Sequence, residues 1–163
     1  MRLESERGGK ALNAAADLID DRIAAGSSDR AVLRCGGDGV SYRQLSEAVN
    51  RSGNVFRSLG VGAGDRVALL MPDTPGAVAA FFGAVKAGAV AVPINAMVTP
   101  EDIIYLLNDC GAAALVVAEM LAPKIASMEG RCPDLKHILR AAGPKPGPGS
   151  FEALFDAAST ELE

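Results

Sequence analysis

The chain has 163 residues, enough for one domain whose hydrophobic core needs no disulfide bonds or metal ions. Hydrophobic residues make up 49% and charged residues 22%, and the net charge is −4. The 16 lysines and arginines are scattered, which argues against a nucleic-acid partner because such partners need a basic surface. Three cysteines without a CxxC pair and a single histidine exclude a zinc site of Cys and His residues and favour a cytoplasmic location.

The first part of the chain predicts two helices and a strand. Residues 1–12 begin polar and glycine-rich and are expected to be a flexible N-terminus. Asn13 can cap a helix to about residue 25, and Ala31–Cys35 is expected to be a strand followed by a tight turn at 36–39. Ser41 and Gln44 predict a capping box for a long helix that ends near residue 59.

This long helix has an amphipathic pattern. Its apolar stripe predicts packing against a core. The residues expected to face water are Arg43, Glu47, Asn50, Arg51 and Asn54.

Four short apolar runs recur at nearly constant spacing after this helix. They are VALLM at 67–71, VAVPI at 90–94, ALVVA at 114–118 and HILRA at 137–141. Their first residues are 23, 24 and 23 positions apart, which leaves room for one strand, one helix and two turns each time. Uninterrupted apolar runs are typical of strands that are covered on both faces. The sequence therefore predicts an α/β fold with a largely parallel sheet flanked by helices.

Residues 75–94 contain one charge, Lys86, and are long enough to be considered as a membrane span. Thr74 and a proline at the first helical position begin a helix here, however, and Gly88 ends it. The stretch therefore divides into a helix and a strand, and no membrane association is expected. Thr99 and Pro100 begin the next helix in the same way, and it ends before Gly111.

The end of the sequence changes composition. Residues 143–149 are glycine and proline with one lysine and predict a linker. Residues 150–163 are expected to begin as a short helix that packs Phe151, Leu154 and Phe155. Residues 13–142 are thus predicted to form the α/β unit.

Several residues invite a catalytic interpretation, and each has a simpler structural one. The glycines at 60–64 follow a helix and precede a strand, whereas a phosphate-binding loop follows a strand and opens a helix. The acidic pairs at 20–21 and 101–102 suit exposed helix faces and first turns. His137 has no accompanying nucleophile motif, and the cysteines are predicted to be small core residues.

Asp73 follows a strand at its predicted carboxyl end, where ligands of open α/β sheets bind. That position favours a role for Asp73 in ligand binding. Its place just before Thr74 and Pro75 makes turn and cap formation the stronger interpretation.

A set of motifs occurs in a fixed order along the chain. They are VSYRQL at 40–45, LGV at 59–61, GDRV at 64–67, MPDTP at 71–75 and FGAVKAGAVAVPIN at 82–95. In this order and spacing the chain resembles the N-terminal part of an acyl-CoA synthetase of the adenylate-forming, or AMP-binding, superfamily. NAA at 13–15, DTP at 73–75 and NAMVTPEDIIYLL at 95–107 resemble the benzoate-CoA ligase branch.

The resemblance implies a two-step reaction for the parent protein. A carboxylate attacks the α-phosphate of ATP to give an acyl-adenylate and pyrophosphate, and the thiol of coenzyme A then displaces AMP. ATP, Mg²⁺ and coenzyme A are the implied cofactors, and a small carboxylic acid is the implied substrate. The family's Ser/Thr/Gly-rich loop ending in PKG is not found in the 163 residues.

We therefore expect the chain to be the first segment of such an enzyme's large N-terminal domain. We expect it to contain no catalytic residue, to be inactive in isolation and to bind none of the cofactors tightly. In relatives the loop after the V-P-x-N strand approaches the coenzyme A nucleotide, which the resemblance transfers to Asn95, Ala96 and Met97. A basic residue there would suit a phosphate, and this loop has none.

Two other interpretations stay open. The chain is large enough to be a binding or assembly module that pairs with a partner chain. A dinucleotide-binding domain is a weaker alternative, since it requires a glycine loop after the first parallel strand, and none is present. An uncovered sheet edge or apolar helix face also makes a homodimer plausible.

Overall fold

The computed structural model of the protein describes residues 13–141 and 150–162. The predicted flexible N-terminus, residues 1–12, and the predicted linker, residues 143–149, lie outside these ranges. The domain boundaries that the sequence suggests stay predictions.

The described chain begins with a short helical segment. The Oδ1 atom of Asn13 accepts a hydrogen bond from the amide of Ala15 at 3.0 Å, which is consistent with its expected capping role. A π-helical turn, Ala16–Asp20, leads into helix α1, Asp21–Ala24. The predicted helix is present, but its first part is wound more loosely than an α-helix.

A two-stranded hairpin follows. Strand β1, Ala31–Cys35, pairs antiparallel with strand β2, Asp38–Ser41. The sequence predicts β1 but not β2, and the turn predicted at 36–39 is confined to residues 36–37 because Asp38 and Gly39 belong to β2. Because Asp38 and Gly39 are poor strand formers, it is their pairing with β1 that makes this segment extended.

The rest of the chain alternates helices and strands as the spacing predicts. The elements are α2 (Tyr42–Ser58), β3 (Arg66–Leu70), α3 (Pro75–Lys86), β4 (Val90–Pro93), α4 (Pro100–Cys110), β5 (Ala112–Ala118), a 3₁₀ segment (Glu119–Ile125), β6 (His137–Ala141) and α5 (Phe151–Ala157). The 3₁₀ segment is the one element of this series that the sequence did not indicate.

The last four strands form one parallel sheet in the order β4-β3-β5-β6. This confirms the predicted α/β fold with a parallel sheet. The hairpin β1-β2 forms a separate sheet. All four parallel strands have their carboxyl ends at the same edge, which we call the carboxyl edge.

The core lies on both faces of the parallel sheet. Val67 and Leu69 of β3 pack on one face in a cluster with residues of α2, α3 and α5. Ala68 and Leu70 pack on the other face with residues of α4 and the segment after β5. Because successive side chains of a strand point to opposite faces, this double coverage explains why the strands are uninterrupted apolar runs.

Local sequence signals set the helix boundaries. Ser41 and Gln44 form the predicted capping box of α2, and Thr99 and Asp102 form one at α4. Helix α4 ends at Gly111, which has a φ of 58°. The Arg66 guanidinium donates to the carbonyl oxygens of Cys110 and Gly111 at 2.6 Å each, so the last turn of α4 is tied to β3.

The polar face of α2 does not face water throughout, which corrects the sequence-based expectation. Asn50 and Asn54 donate through Nδ2 to carbonyl oxygens of residues 159–161 at 2.7–2.9 Å. Arg51 donates through Nη1 to the carbonyl oxygens of Phe155, Asp156 and Ala158 at 2.8–3.1 Å. These side chains bind the backbone of the C-terminal segment, which lies more than 100 residues away along the chain.

The stretch considered as a membrane span is divided as predicted, with α3 and β4 separated by a turn at Gly88. Over residues 13–141 and 150–162, every helix is too short or too polar to cross a bilayer.

Candidate functional site

A cavity of about 710 Å³ lies at the carboxyl edge, where β3 and β4 end. We call it the edge cavity. Its lining comes from β1, the ends of β3 and β4 with the residues after them, and α3: Leu33, Arg34, Cys35, Leu69, Met71, Pro72, Asp73, Thr74, Pro75, Ala77, Val78, Phe81, Phe82, Pro93, Ile94, Asn95 and Ala96. This volume is within the range of small-molecule sites, roughly 300–1,000 Å³.

The cavity lining is mostly apolar and partly aromatic. Phe81 and Phe82 of α3 meet edge to face, with ring centroids 5.3 Å apart and planes at 85°. Among the lining residues only Arg34 and Asp73 carry a charge, and both are exposed. Such a surface suits an apolar group more than a phosphate chain.

A small core cluster holds the hairpin against the helices. Buried Ile19, Leu45 and Val49 pack there with partly buried residues that include Leu33 of β1 and Phe82 of α3. Because Leu33 and Phe82 also line the edge cavity, this cluster fixes the position of one wall relative to the other.

Strand β4 leads directly into the loop at which the sequence places a ligand. The four residues Asn95, Ala96, Met97 and Val98 form this segment, which we call the 95–98 loop. The Oδ1 atom of Asn95 accepts a hydrogen bond from the Met97 amide at 2.9 Å, and the Asn95 carbonyl accepts one from the Val98 amide at 3.2 Å. The Met97 side chain is 86% exposed, so the loop presents it to solvent.

Asn95 and Ala96 line the edge cavity, and Met97 does not. The three predicted site residues therefore share one loop, with two on the cavity wall and the third on the outer surface. This placement is compatible with a ligand that runs along the carboxyl edge, and the assignment of coenzyme A to these residues stays a prediction.

A lysine from another element holds the 95–98 loop. The Lys124 Nζ atom donates to the carbonyl oxygens of Ala96 and Val98 at 2.6 and 2.8 Å. Lys124 belongs to the 3₁₀ segment after β5, which the sequence did not indicate. The signal that could have found it is positional, because this segment also follows a strand at the carboxyl edge.

The start of α4, just beyond this loop, carries two acidic side chains with lowered pKa values. The Arg131 guanidinium binds Glu101 at 2.5 Å and lowers the pKa of that carboxyl through hydrogen bonding and charge. Hydrogen bonds from the side chain and amide of Thr99 lower the pKa of Asp102. Both carboxylates thus have structural partners and are held in the charged form, as the capping interpretation expects.

The acidic pair at 20–21 was expected to lie on an exposed helix face, and this is not the case for Asp20. Asp20 forms an ion pair with Lys86 at 2.6 Å and accepts a hydrogen bond from Ser46 at 3.2 Å. It therefore ties the first helical segment to α2 and α3. The expectation of a solvated carboxylate is wrong for Asp20, because its partners come from distant parts of the sequence.

The remaining candidates occupy structural positions or lie away from the edge cavity. Gly60 and Gly64 have φ values of 77° and 81° in the turn between α2 and β3, as the structural interpretation predicts. His137 begins β6, opposite Ala114, at the amino edge of the sheet rather than the carboxyl edge.

Two of the three cysteines pack against the core, as the sequence predicts, and the third does not. Cys110 and Cys132 pack against the second core cluster, and burial raises the pKa of the Cys132 thiol. Cys35 is exposed and lines the edge cavity, so its expected core role is wrong. Thr74 caps α3 through its side chain, whereas Asp73 is exposed at the cavity.

The family resemblance implies a magnesium ion, but the described residues do not form a cluster of ligands for one. No group of three or more His, Cys, Asp and Glu side chains within residues 13–141 and 150–162 is arranged to hold a metal ion. The glycine turn at 60–64 likewise does not open a helix, so it does not offer a phosphate the free amides of a helix N-terminus.

Comparison with known proteins identifies the architecture. Residues 20–160 match the family described as AMP-binding enzyme. The chain belongs to this family. The resemblance drawn from the motifs is thereby confirmed, and it extends over most of the described fold.

The chain is similar to aromatic-acid ligases in particular. It is 31% identical over 156 residues to a 3-hydroxybenzoate–CoA/4-hydroxybenzoate–CoA ligase of Thauera aromatica, and this match covers 94% of the chain. It is 36% identical over 152 residues to a benzoate–CoA ligase of the same organism, with 93% of the chain covered. The anthranilate CoA ligase AuaEII, solved in complex with anthranoyl-AMP, superimposes with a TM-score of 0.84 and 35% identity over 91% of the chain.

These matches cover much less of the other proteins. The chain spans 30% and 28% of the two Thauera ligases and 29% of the AuaEII chain. The chain therefore spans less than a third of the length of these relatives.

Proposed function

We propose that this chain forms part of an ATP-dependent aryl- or acyl-CoA ligase of the benzoate type. The reaction converts a carboxylate, ATP and coenzyme A into an acyl-CoA thioester, AMP and pyrophosphate through an acyl-adenylate. We further propose that the chain by itself does not catalyse this reaction and binds none of the cofactors tightly.

One observation carries the proposal. Ligases named for benzoate and hydroxybenzoates align with more than nine tenths of the chain, and their alignment includes the edge cavity and the 95–98 loop. The apolar and aromatic lining of that cavity is compatible with an apolar part of a substrate or cofactor.

Within this function, we assign Asn95, Ala96 and Met97 to the edge of the coenzyme A nucleotide site. The exposed Met97 and the cavity-lining Asn95 and Ala96 place the loop between solvent and the cavity. Coenzyme A supplies the thiol that accepts the acyl group when it is bound. The residues of this chain contribute the wall and the loop along which it would lie.

The remaining parts of the proposal concern surroundings and assembly. ATP with Mg²⁺ and a small carboxylic acid are the other proposed substrates, and the cytoplasm is the proposed location. No nucleic acid and no membrane take part in the proposed reaction. A homodimer through an uncovered sheet edge is proposed as well.

A chimeric enzyme tests the function directly. This chain would replace the aligned segment of the benzoate–CoA ligase of Thauera aromatica, and ATP-dependent release of pyrophosphate and formation of benzoyl-CoA would be measured. We expect both activities in the chimera and neither in the 163-residue chain alone. The unmodified ligase and a version lacking the segment serve as the upper and lower references.

Each alternative result has a definite meaning. A folded chimera that forms neither product contradicts the proposed function. Release of pyrophosphate without thioester formation supports the adenylation step and contradicts the coenzyme A assignment. Pyrophosphate release by the 163-residue chain alone, with benzoate and ATP, contradicts its proposed inactivity.

A further inference from the structure

The 95–98 loop is held in place by a residue that belongs to a different element of the fold. Its two amide hydrogen bonds return to Asn95, so they shape the turn but do not attach it to the rest of the fold. The contacts that do attach its carbonyl side are the two hydrogen bonds from Lys124 to Ala96 and Val98. Lys124 thereby joins the ends of two strands, β4 and β5, at the carboxyl edge.

The charge of Lys124 is not neutralised by a carboxylate in the described chain. The four ion pairs found there involve Arg43, Lys86, Arg131 and Arg140, and none includes Lys124. An ammonium group has three N–H donors, and two are used by the loop carbonyls. Lys124 is half-buried, and the loop whose carbonyl oxygens it binds has no basic residue of its own.

Hydrogen bonds from a charged donor are stronger than neutral ones. Two such bonds to the carbonyls of one short turn restrict its backbone. The carbonyl dipoles also point toward the ammonium and therefore away from the outer face of the loop. The Met97 and Val98 amides are already bound to Asn95, so the feature near this loop that favours an anion is the Lys124 ammonium, which has a third N–H donor beyond the two that bind the loop carbonyls.

We propose that Lys124 is the positioning residue of the 95–98 loop and supplies the positive charge that this loop lacks for a phosphate-bearing ligand. The inference rests on the proposed function, which places the coenzyme A nucleotide at this loop. It adds a residue from a separate element, 28 positions away from Ala96 in the sequence.

The first measurement concerns the loop itself. Solvent exchange of the Met97 and Val98 amides would be followed by NMR in the 163-residue chain and in Lys124→Met, which keeps the apolar stem without the charge. We expect these amides to exchange about tenfold faster in the variant, because the restraint on the loop carbonyls is lost. Lys124→Arg keeps a charged donor and is expected to restore slow exchange.

The matched control is Lys136→Met. Lys136 is exposed and precedes β6 at the amino edge, so the same charge is removed far from the loop. We expect exchange of the loop amides to stay unchanged in this variant. Unchanged exchange in Lys124→Met would overturn the positioning role.

The second measurement separates charge from shape. Chemical shifts of the loop amides would be followed during titration with coenzyme A and, separately, with pantetheine, which lacks the phosphates. We expect Lys124→Met to weaken the response to coenzyme A severalfold and to leave the response to pantetheine unchanged. Lys124→Arg and Lys136→Met are expected to behave like the original chain.

The two proposals fail in different ways. Because tight binding by this chain alone is not expected, the titration continues to coenzyme A concentrations at which weak binding shifts the amide signals. An original chain whose loop does not respond even there contradicts the proposed location of that ligand, whereas the exchange data still decide the positioning role. A response to coenzyme A that is equal in the original chain and in Lys124→Met overturns the charge role. Equal weakening toward coenzyme A and pantetheine overturns it too, because the effect would then come from loop shape alone.

Discussion

Gly83 lies where helices α2 and α3 cross at close range. A Cβ atom at this position would lie 2.5 Å from the Ser52 Cβ, 2.8 Å from the Gly53 nitrogen and 2.9 Å from the Val49 oxygen. Two of these neighbours are backbone atoms, which cannot rotate away. Gly83→Ala is therefore expected to push the helices apart and to lower the free energy of unfolding by about 1–3 kcal/mol. Urea unfolding monitored by circular dichroism measures this change.

Gly76→Ala is the matched control in the same helix. A Cβ at Gly76 would meet nothing closer than the Thr74 Oγ1 atom at 3.8 Å. Since alanine is the better helix former, this variant is expected to be as stable as the original chain or slightly more stable. Equal stability of Gly76→Ala and Gly83→Ala would show that the crossing tolerates a methyl group and would contradict the prediction.

The residue scale also shows what sequence reasoning can and cannot find. The capping roles of Ser41 and Thr99 were predictable because their partners are three residues away. The packing role of Gly83 was not, because its neighbours belong to another helix. Asp20 was misjudged for the same reason, since its partner Lys86 is distant in sequence.

At the scale of elements, side chains of α2 hold the C-terminal segment, both by hydrogen bonds to the backbone of that segment and by an aromatic contact. Arg51 binds three carbonyl oxygens around the end of α5 and lies over the Phe155 ring at 5.8 Å. Phe151 of α5 is buried and packs near Phe56 of α2. The contact thus combines an apolar anchor with a cation that satisfies the open carbonyls of a helix end.

Arg51→Met is expected to loosen this segment without unfolding the sheet. Loss of three charge-assisted hydrogen bonds should raise hydrogen exchange in residues 153–162 by about tenfold or more, with the amides of β3 and β5 unchanged. Hydrogen exchange followed by mass spectrometry gives both values. Arg57→Met removes an exposed arginine from the last turn of the same helix and should change neither. Identical exchange in the two variants would argue against the docking role of Arg51.

The elements themselves were largely predictable, whereas their partners were not. Periodicity and punctuation located the helices and parallel strands because these signals are local. The order β4-β3-β5-β6 depends on which strands pair, and strand β2 depends on its pairing with β1. The 95–98 loop was found through its position after a strand, but Lys124 was missed because nothing local connects it to the loop.

At the scale of the whole molecule, the parallel sheet has two outer strands, β4 and β6. Each exposes an apolar side chain to a similar degree, Val90 at 49% and Ile138 at 47%. Exposure alone therefore does not distinguish the two edges. Pro93 does, because it has no N–H group and interrupts hydrogen bonding along β4. The β6 edge is thus the better candidate for the proposed homodimer.

If the chain dimerises through β6, a lysine on that edge should prevent it, since charged side chains block edge-to-edge pairing. Ile138→Lys is expected to remain a monomer over a concentration series in which the original chain shows growing mass by small-angle X-ray scattering. Val90→Lys makes the same change on the β4 edge and is expected to dimerise like the original chain. Loss of the dimer in both variants would point to a different surface or to a general charge effect. A monomeric scattering profile of the original chain at its highest concentration would contradict the homodimer itself, because the uncovered edge would then be stable in water without a partner.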